Sequence, residues 1–507
     1  MRAIQNISRL MYLGCLLARN NALEVLEALN VPIVFYWPLK LLESKNKHLG
    51  LGERMANAAI SAGPTFVKFG QALSTRTDLL GPEITAEIAH LRDRLPPFSS
   101  ERAKKTIEKE LGSSIEDLFL SFEDVPIAAA SIAQVHFAIT SAGEEVAVKV
   151  LRPNIEKAFL RDLELLRWLA QLAVRLRPSW KRLRLADGVE VFAEMVRMEM
   201  DLRLEGAAAS ELRENFKNDP SYNVPKIFWQ YTSKRVLTTS RVSGIPIDKI
   251  TASESHSYTP DQVLESSSRA MFHQIFRDGF FHGDPHPGNL MVEKDGTISV
   301  VDFGIMGRLD IQSRLYIAET LLCIFTREYE RAAQLHLDAG YVPEGTPIGA
   351  FSLALRSIAE PILDLPPNEV SMGRLLGHLF HITETFGMET QPHLLLLQKV
   401  VVIAEGTART INPSLNLWET VQPLVKDWVK LKSSPEQQVR DASVALRRLV
   451  IHGPRLLAKF EATVSGPADG MRSEKRRRKL ETNQRLTSAL WLITFSVWVL
   501  VVITLLG

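Results

Sequence analysis

The sequence predicts an α+β fold of two lobes, preceded by a helical N-terminal extension and followed by a C-terminal transmembrane helix. Three observations carry this prediction. Between about residues 121 and 151 the apolar pattern changes from helical period to short alternating runs, the mark of a small sheet. Further on, a mostly helical stretch is interrupted by a polar loop, HGDPHPGN at residues 282–289, and by a second strand hairpin. Finally, Leu486 to Leu506 is uncharged, and as a helix rising ~1.5 Å per residue it would span roughly 30 Å, the hydrocarbon thickness of a bilayer.

Taken in order, residues 1–120 read as helices, with i, i+3, i+4 apolar spacing in ERMANAAISA and ERAKKTIEKELG. Breaks fall at Gly63-Pro64, Gly81-Pro82 and Pro96-Pro97, and no small-residue cleavage site follows the first apolar run. Residues 121–242 form the smaller lobe. AQVHFAIT and EEVAVKVL flank a turn at SAGEE, helical period runs from Ile155 to about Phe216, and strand patterns return in VPKIFWQYT and RVLTTSRV. Residues 243–450 form the larger, mostly helical lobe, in which NLMVEKDG and TISVVDFG frame a hairpin turn at Asp295-Gly296. A polar, basic linker fills 451–485, and 486–506 is the span. The cluster Lys475, Arg476, Arg477, Arg478 and Lys479 just before it predicts that the bulk of the chain faces the cytoplasm.

Composition excludes some classes of function. The net charge of the 507 residues is only +2 and aromatics are sparse at 7%, so nothing suggests a surface for nucleic acid. The two cysteines, Cys15 and Cys323, sit far apart in apolar segments, as in a protein of a reducing compartment.

Chemistry concentrates in the polar loop and the hairpin after it. Asp284 precedes Asn289 by five residues and Asp302 of VVDFG by eighteen. In protein kinases an aspartate of the catalytic loop, an asparagine five residues later and the aspartate of DFG handle the acceptor and the metal-bound phosphates. Phosphoryl groups crowd negative charge, and hard oxygen ligands on Mg²⁺ neutralise it, which is why carboxylate and amide oxygens are needed at two rigid loops. Lys149 in EEVAVKVL matches the lysine that such sites place on a strand against the phosphates. Its buried ammonium needs an acidic partner, and RMEMDLRLE offers Glu199 and Glu205, about 120° apart around a continuous helix at ~100° per residue. Residue type alone does not select between them. Where a glycine-rich turn would cover the phosphates, the chain reads PIAAASIAQVH, whose alanines cannot readily take positive φ and so make a stiffer loop.

Other readings fit the residues less well. A zinc or dinuclear hydrolase built on His282, Asp284 and His286 would need further ligands, yet most other histidines are scattered singly, and His378 and His381 lack the H-E-x-x-H pattern. A non-catalytic nucleotide-binding scaffold stays an alternative, because kinase folds can lose activity and keep binding, yet Lys149, Asp284, Asn289 and Asp302 are all present, so catalysis is expected to survive. A kinase acting on a small-molecule or protein acceptor remains open, because no acceptor pocket is legible.

PTFVKFGQALSTRTDLLGPE, AAASIAQVH, EVAVKV, RMEMDLRLE, HGDPHPGN and VVDFG occur in that order within residues 50–420. Together they resemble the UbiB family of atypical kinases. The resemblance implies a two-lobed protein-kinase-like fold and a membrane-anchored kinase-like ATPase that supports ubiquinone (coenzyme Q) biosynthesis at the cell inner membrane. It implies ATP and Mg²⁺ as cofactors, and membrane lipid with ubiquinone-biosynthesis proteins or isoprenoid precursors as partners. Nucleotide would contact the loop Pro126, Ile127, Ala128, Ala129, Ala130, Ser131, Ile132, Ala133 and Gln134, together with Lys149 and its partner Glu205. Asp284 would be the catalytic aspartate, with Asn289 and Asp302 holding the metal. The family's K-x-G-Q motif falls on Lys68, Gly70 and Gln71, and its E-x-D motif on Glu199 and Asp201. Lys68 would reach across the active site to pair with Glu199.

Overall fold

The computed structural model describes residues 2–28, 33, 36–43, 49–73, 95–176, 185–250, 257–365, 370–388, 391–414 and 417–432. The chain divides into two compact units at Val429 and Lys430, and both lobes and the candidate site lie in the first. The expected linker at 451–485, the expected span at 486–506 and the expected end of the larger lobe at 450 lie outside the described residues. Among the described residues, no helix is long and apolar enough to cross a membrane.

The smaller lobe is built on an antiparallel sheet. Its strands are β1 (Phe119–Phe122), β2 (Ala128–Ala129), β3 (Ala133–Thr140), β4 (Glu145–Leu151) and, after several helices, β6 (Val236–Ser240), in the order β1-β3-β4-β6 with β2 on β3. The β3–β4 turn closes through Gly143 at φ +85°, a value that favours glycine. Period-2 alternation then sorts the faces. Val146, Val148 and Val150 are fully buried with Ile107, Phe228 and Val236, whereas Lys149 stands opposite Val135 on the other face. Helices α1 (Arg2–Arg19), α2 (Leu51–Ala62), α3 (Pro64–Leu73) and α4 (Ser100–Leu111) form the expected extension. An Arg9–Asp162 ion pair at 3.0 Å ties α1 to α5 (Ile155–Leu176).

Two sequence expectations need correction. The helical pattern from Ile155 to Phe216 is three helices: α5, α6 (Leu185–Glu199) and α7 (Leu202–Asn215). The chain leaves helical geometry at Asp201 (φ −119°, ψ 92°), whose carboxylate accepts the Arg203 N–H as an N-cap, and a capping aspartate starts a new helix. The strand expected in VPKIFWQYT is instead a single bridge, Ile227 to Thr239, followed by a 3₁₀ turn at Trp229–Tyr231.

A second sheet, in the order β5-β10-β9-β7, joins β5 (Tyr222–Asn223), β7 (Ile245–Pro246), β9 (Leu290–Val292) and β10 (Ile298–Val300). The β9–β10 hairpin turns at Gly296, φ +88°, where the Asp295-Gly296 pair predicted it. A two-stranded ribbon pairs β8 (Phe280–His282) with β11 (Met306–Arg308). One core runs from Phe159, Leu163, Phe192 and Leu202 through to Val300 and Phe303, so the helices of the smaller lobe and the second sheet share an interior. A separate core, with Tyr329 and Phe351 at its centre, holds α9 (Ile311–Phe325), α10 (Tyr329–Asp338), α11 (Ile348–Leu363), α12 (Met372–Thr385) and α13 (Pro392–Ile411), together with Val421, Val425 and Trp428 from α14 (Leu417–Lys432).

That second core contains a titrating group. His336 is 1% exposed, lies edge-on to Tyr316 and Phe351 at 5.2 Å from each, and donates from Nδ1 to the Ala332 carbonyl. Burial pushes its pKa down to about 4. The unfolded chain takes up this proton near pH ~6.5 and the native chain refuses it, so the stabilisation is complete above ~6.5 and is lost as pH falls toward the folded value. The expected loss is on the order of 3 kcal/mol. Urea midpoints at pH 7.5 and 4.5 should show it, and His336→Phe, which keeps the ring packing, should flatten that part of the pH slope.

Candidate active site

Lys149 is positioned by β4 and held by two carboxylates. Its Nζ lies 2.6 Å from Glu205 Oε1 and 3.2 Å from Asp302 Oδ1. Glu205, 9% exposed, comes from the first turn of α7, and its Oε1 also accepts the Phe303 N–H at 3.3 Å. One carboxylate thus joins the strand lysine, the helix and the DFG backbone. Burial alone would lower the Lys149 pKa, but the Asp302 and Glu205 charges overcome it and hold the ammonium above its ordinary range. Burial pushes Glu205 up against the pull of Lys149. Burial also opposes ionisation of Asp302, but Lys149 and the Gly304 N–H win and keep it well below the usual carboxylate range. The Asp302 side chain is 49% exposed even though protein surrounds it, as suits a group facing an open cleft.

Asp302 sits at φ +66°, a conformation that aspartate tolerates better than most residues. Its Oδ1 takes both Lys149 and the Gly304 N–H, while nothing among the described residues donates to Oδ2. Asn289 donates from Nδ2 to the Asp284 carbonyl, 3.0 Å away, which leaves its Oδ1 as a further hard donor. These two oxygens suit Mg²⁺. Among the described residues, no group of three or more His, Cys, Asp or Glu side chains could hold a metal, so the hydrolase reading gains nothing.

The loop 282–289 is held from beneath. After α8 (Pro260–Phe272) the chain widens into a π-turn at His273–Asp278, which presents buried Gln274, and Gln274 Oε1 accepts the His282 N–H at 2.9 Å. His282 bridges the two motifs. Its Nε2 lies 2.5 Å from the Asp302 carbonyl, which can only accept, so Nε2 carries the proton and Nδ1 accepts the Asp284 N–H at 3.1 Å. Burial pushes the ring's pKa down, in keeping with that neutral form. His286, to which the sequence assigned no role, caps the turn Pro287–Asn289 by accepting the Gly288 N–H. Its ring lies 2.6 Å from where a Gly288 Cβ would stand, so a side chain there would displace the ring from its cap.

The alanine loop forms a tight hairpin, Ala128 and Ala129 pairing with Val135 and Gln134. The Ile127 N–H is spent on the Val135 carbonyl and the Ala130 N–H on the Ala133 carbonyl. No residue from Pro126 to Gln134 has positive φ, in line with a loop that cannot wrap as a glycine-rich one would. Ser131, Ile132 and Ala133 are buried, while Pro126 to Ala130 remain at least partly open. Gln134 departs from its expected role as a nucleotide contact: its side chain lies on the sheet face opposite Lys149, bonding the Phe98 backbone and His136. Sequence reasoning also missed Arg152, at the exit of β4. Its guanidinium binds the Ala130 carbonyl at 2.9 Å and the Leu95 carbonyl at 3.3 Å, clamping the loop to the extension.

Lys68 on α3 pairs with Glu199 at the end of α6, Nζ to Oε2 3.2 Å, with side chains 14% and 10% exposed. Its charge also lowers the Asp302 pKa. Gly70 and Gln71 lie on the same helix, one turn or less away, and Phe69 stacks edge-on against Phe192 of α6 at 5.4 Å. Asp201 caps α7 and pairs with Arg203 at 2.7 Å. Glu199 and Glu205 do serve different lysines, through the break at Asp201 and not through rotation around one helix.

Comparison with known proteins finds relatives along most of the chain. Residues 90–336 match the ABC1 atypical kinase-like domain and residues 355–416 match the UbiB helical domain. A protein of Marinobacter nauticus described as probable protein kinase UbiB is 42% identical over 396 residues, covering 77% of this chain and 72% of that one. Its counterpart in Pseudomonas paraeruginosa is 40% identical over 425 residues, covering 82% and 80%. A solved complex of Rv3197 with erythromycin from Mycobacterium tuberculosis is 21% identical, covers 80% of this chain and 90% of that one, and superposes with a TM-score of 0.49.

Removing the cation from a buried pair costs about 3–5 kcal/mol, because the carboxylate left behind has no partner. Lys149→Met should therefore lower stability by roughly that amount in chemical denaturation. Adding Glu205→Gln to the same variant should recover most of the loss.

Proposed function

Since the chain belongs to the UbiB family of atypical kinase-like proteins, we propose that it is an ATPase that binds Mg-ATP and supports ubiquinone biosynthesis at the cell inner membrane. The carrying observation is the assembled set: Lys149 between Glu205 and Asp302, with Asp284 and Asn289 held one hydrogen bond apart on the loop beside them. In this reading Lys149 binds the α- and β-phosphates, and the alanine hairpin from Pro126 to Ala133 covers them. Asn289 and Asp302 would hold magnesium, which when bound neutralises charge on the phosphates. Asp284 takes the proton of the attacking group.

Water or a small molecule suits this site better than a protein side chain. In protein kinases a long activation segment separates DFG from the helices of the larger lobe and carries the phosphosite. Here residues 305–310 alone join Gly304 to α9, and β11 within them pairs back onto β8. Lys68 of the extension is already paired to Glu199 close enough to Asp302 to lower its pKa. The uncharged segment 486–506 and the basic run before it support anchoring in the membrane, where isoprenoid precursors and the proteins of quinone synthesis would be met.

Asp302→Asn should abolish magnesium-dependent ATP binding in calorimetry, and tight Mg-ATP binding by that variant would refute the metal assignment. Asp284→Asn should keep nucleotide affinity and lose hydrolysis on the order of 10²–10⁴-fold. A strain carrying only Asp284→Asn should also be depleted in ubiquinone, and normal quinone levels in its lipid extract would leave the protein as a binding scaffold.

A further inference from the structure

Asp284 is already engaged, and by a residue far along the chain. Lys399 of α13 places its Nζ 2.8 Å from Asp284 Oδ1. The helix is seated on the loop itself: a Cβ on Gly283 would meet Leu396 Cδ1 at 3.2 Å. Phosphoryl transfer needs positive groups around the γ-phosphate, where charge shifts in the transition state. The loop 282–289 contains no lysine or arginine. His286, two residues after Asp284, is spent on the Gly288 N–H. Lys149 is divided between Glu205 and Asp302, and Lys68 is buried against Glu199. Lys399, by contrast, is 43% exposed on a long flexible stem, next to a carboxylate that is itself 30% exposed.

We propose that Lys399 is a γ-phosphate ligand supplied by the helical domain. In the nucleotide-free chain it pairs with Asp284, and when ATP binds it moves onto the γ-phosphoryl oxygens and releases Asp284 for catalysis. The reaction then balances. Oxygen of water bonds to the γ-phosphorus, the bond from that phosphorus to the β–γ bridging oxygen breaks, and its electron pair leaves with ADP. The proton of the water passes to Asp284, and inorganic phosphate departs. Exchanging one carboxylate for a more highly charged phosphate keeps Lys399 paired throughout, and Asp284, itself 30% exposed, is left open to solvent and to the attacking water.

This inference rests on the ATPase reading, and its test separates the two. Full-length wild type, Lys399→Met and Lys399→Arg are compared for binding of ADP and of a non-hydrolysable ATP analogue with magnesium, for ATP hydrolysis and for Tm. Lys399→Met should weaken the analogue on the order of tenfold and lower kcat on the order of 10²-fold, with ADP affinity and Tm held near wild type. Lys399→Arg should recover most of both losses. Equal loss of ADP and analogue binding, or no loss of either, overturns the proposal while wild-type hydrolysis leaves the ATPase reading standing. If wild type binds both nucleotides but does not hydrolyse, the ratio of the two affinities still decides the role of Lys399. A wild-type chain that binds neither nucleotide overturns both.

Discussion

The site depends on a cation buried between two anions. Glu205 and Asp302 hold the charge on Lys149 inside the smaller lobe against burial, and Lys149 in turn favours the ionised form of both carboxylates. Each of the three comes from a different element, namely β4, the first turn of α7 and the loop after β10. Satisfying one charge therefore fixes the strand, the helix and the DFG loop together. Glu205 adds the Phe303 N–H to the same knot, and Phe303 packs into the core that carries Phe159, Phe192 and Val300. Electrostatic need and apolar packing thus demand the same arrangement, which is how a sequence specifies one structure.

Layers of backbone hydrogen bonds then carry that order outward. His282, neutral and buried, spans from the Asp302 carbonyl to the Asp284 N–H, so the DFG loop and the 282–289 loop cannot shift independently. Gln274, Gly288 and Asn289 brace the same loop from below and within. On the opposite wall Arg152 fastens the alanine hairpin to Leu95, and Gln134 fastens β3 to Phe98. The extension is therefore stitched to the smaller lobe twice, at Leu95 and Phe98 to the sheet and through the Lys68–Glu199 pair to α6.

Groups whose geometry is set locally were legible in the sequence. Asp284, Asn289 and Asp302 occupy short loops around one hairpin, so their spacing alone nearly determines their placement. Lys149 was legible as a charge on an apolar strand, for the same reason. Glu199 and Glu205 were visible as candidates, but their assignment came from resemblance, because helical periodicity ran straight through the cap at Asp201. Gln134 was grouped with the nucleotide loop by adjacency, whereas strand alternation turns it to the far face. Arg152 and Lys399 were missed because their partners are backbone carbonyls or lie 115 residues away in the chain, and no pattern records such contacts. The only local sign of Lys399 was a cation amid the apolar run LLLLQKVVV.

The brief connection after DFG also bears on how such a protein could be controlled. Residues 305–310 read Ile, Met, Gly, Arg, Leu and Asp, with no hydroxyl among them. A phosphate switch works by adding charge to a side-chain oxygen and drawing it to a waiting arginine. This segment has no oxygen of that kind to modify, and its backbone is committed to the ribbon with β8. A phosphate switch of that kind therefore has no foothold in this connection, and α13, resting on the 282–289 loop through Leu396 and Lys399, is the element whose position bears most directly on Asp284.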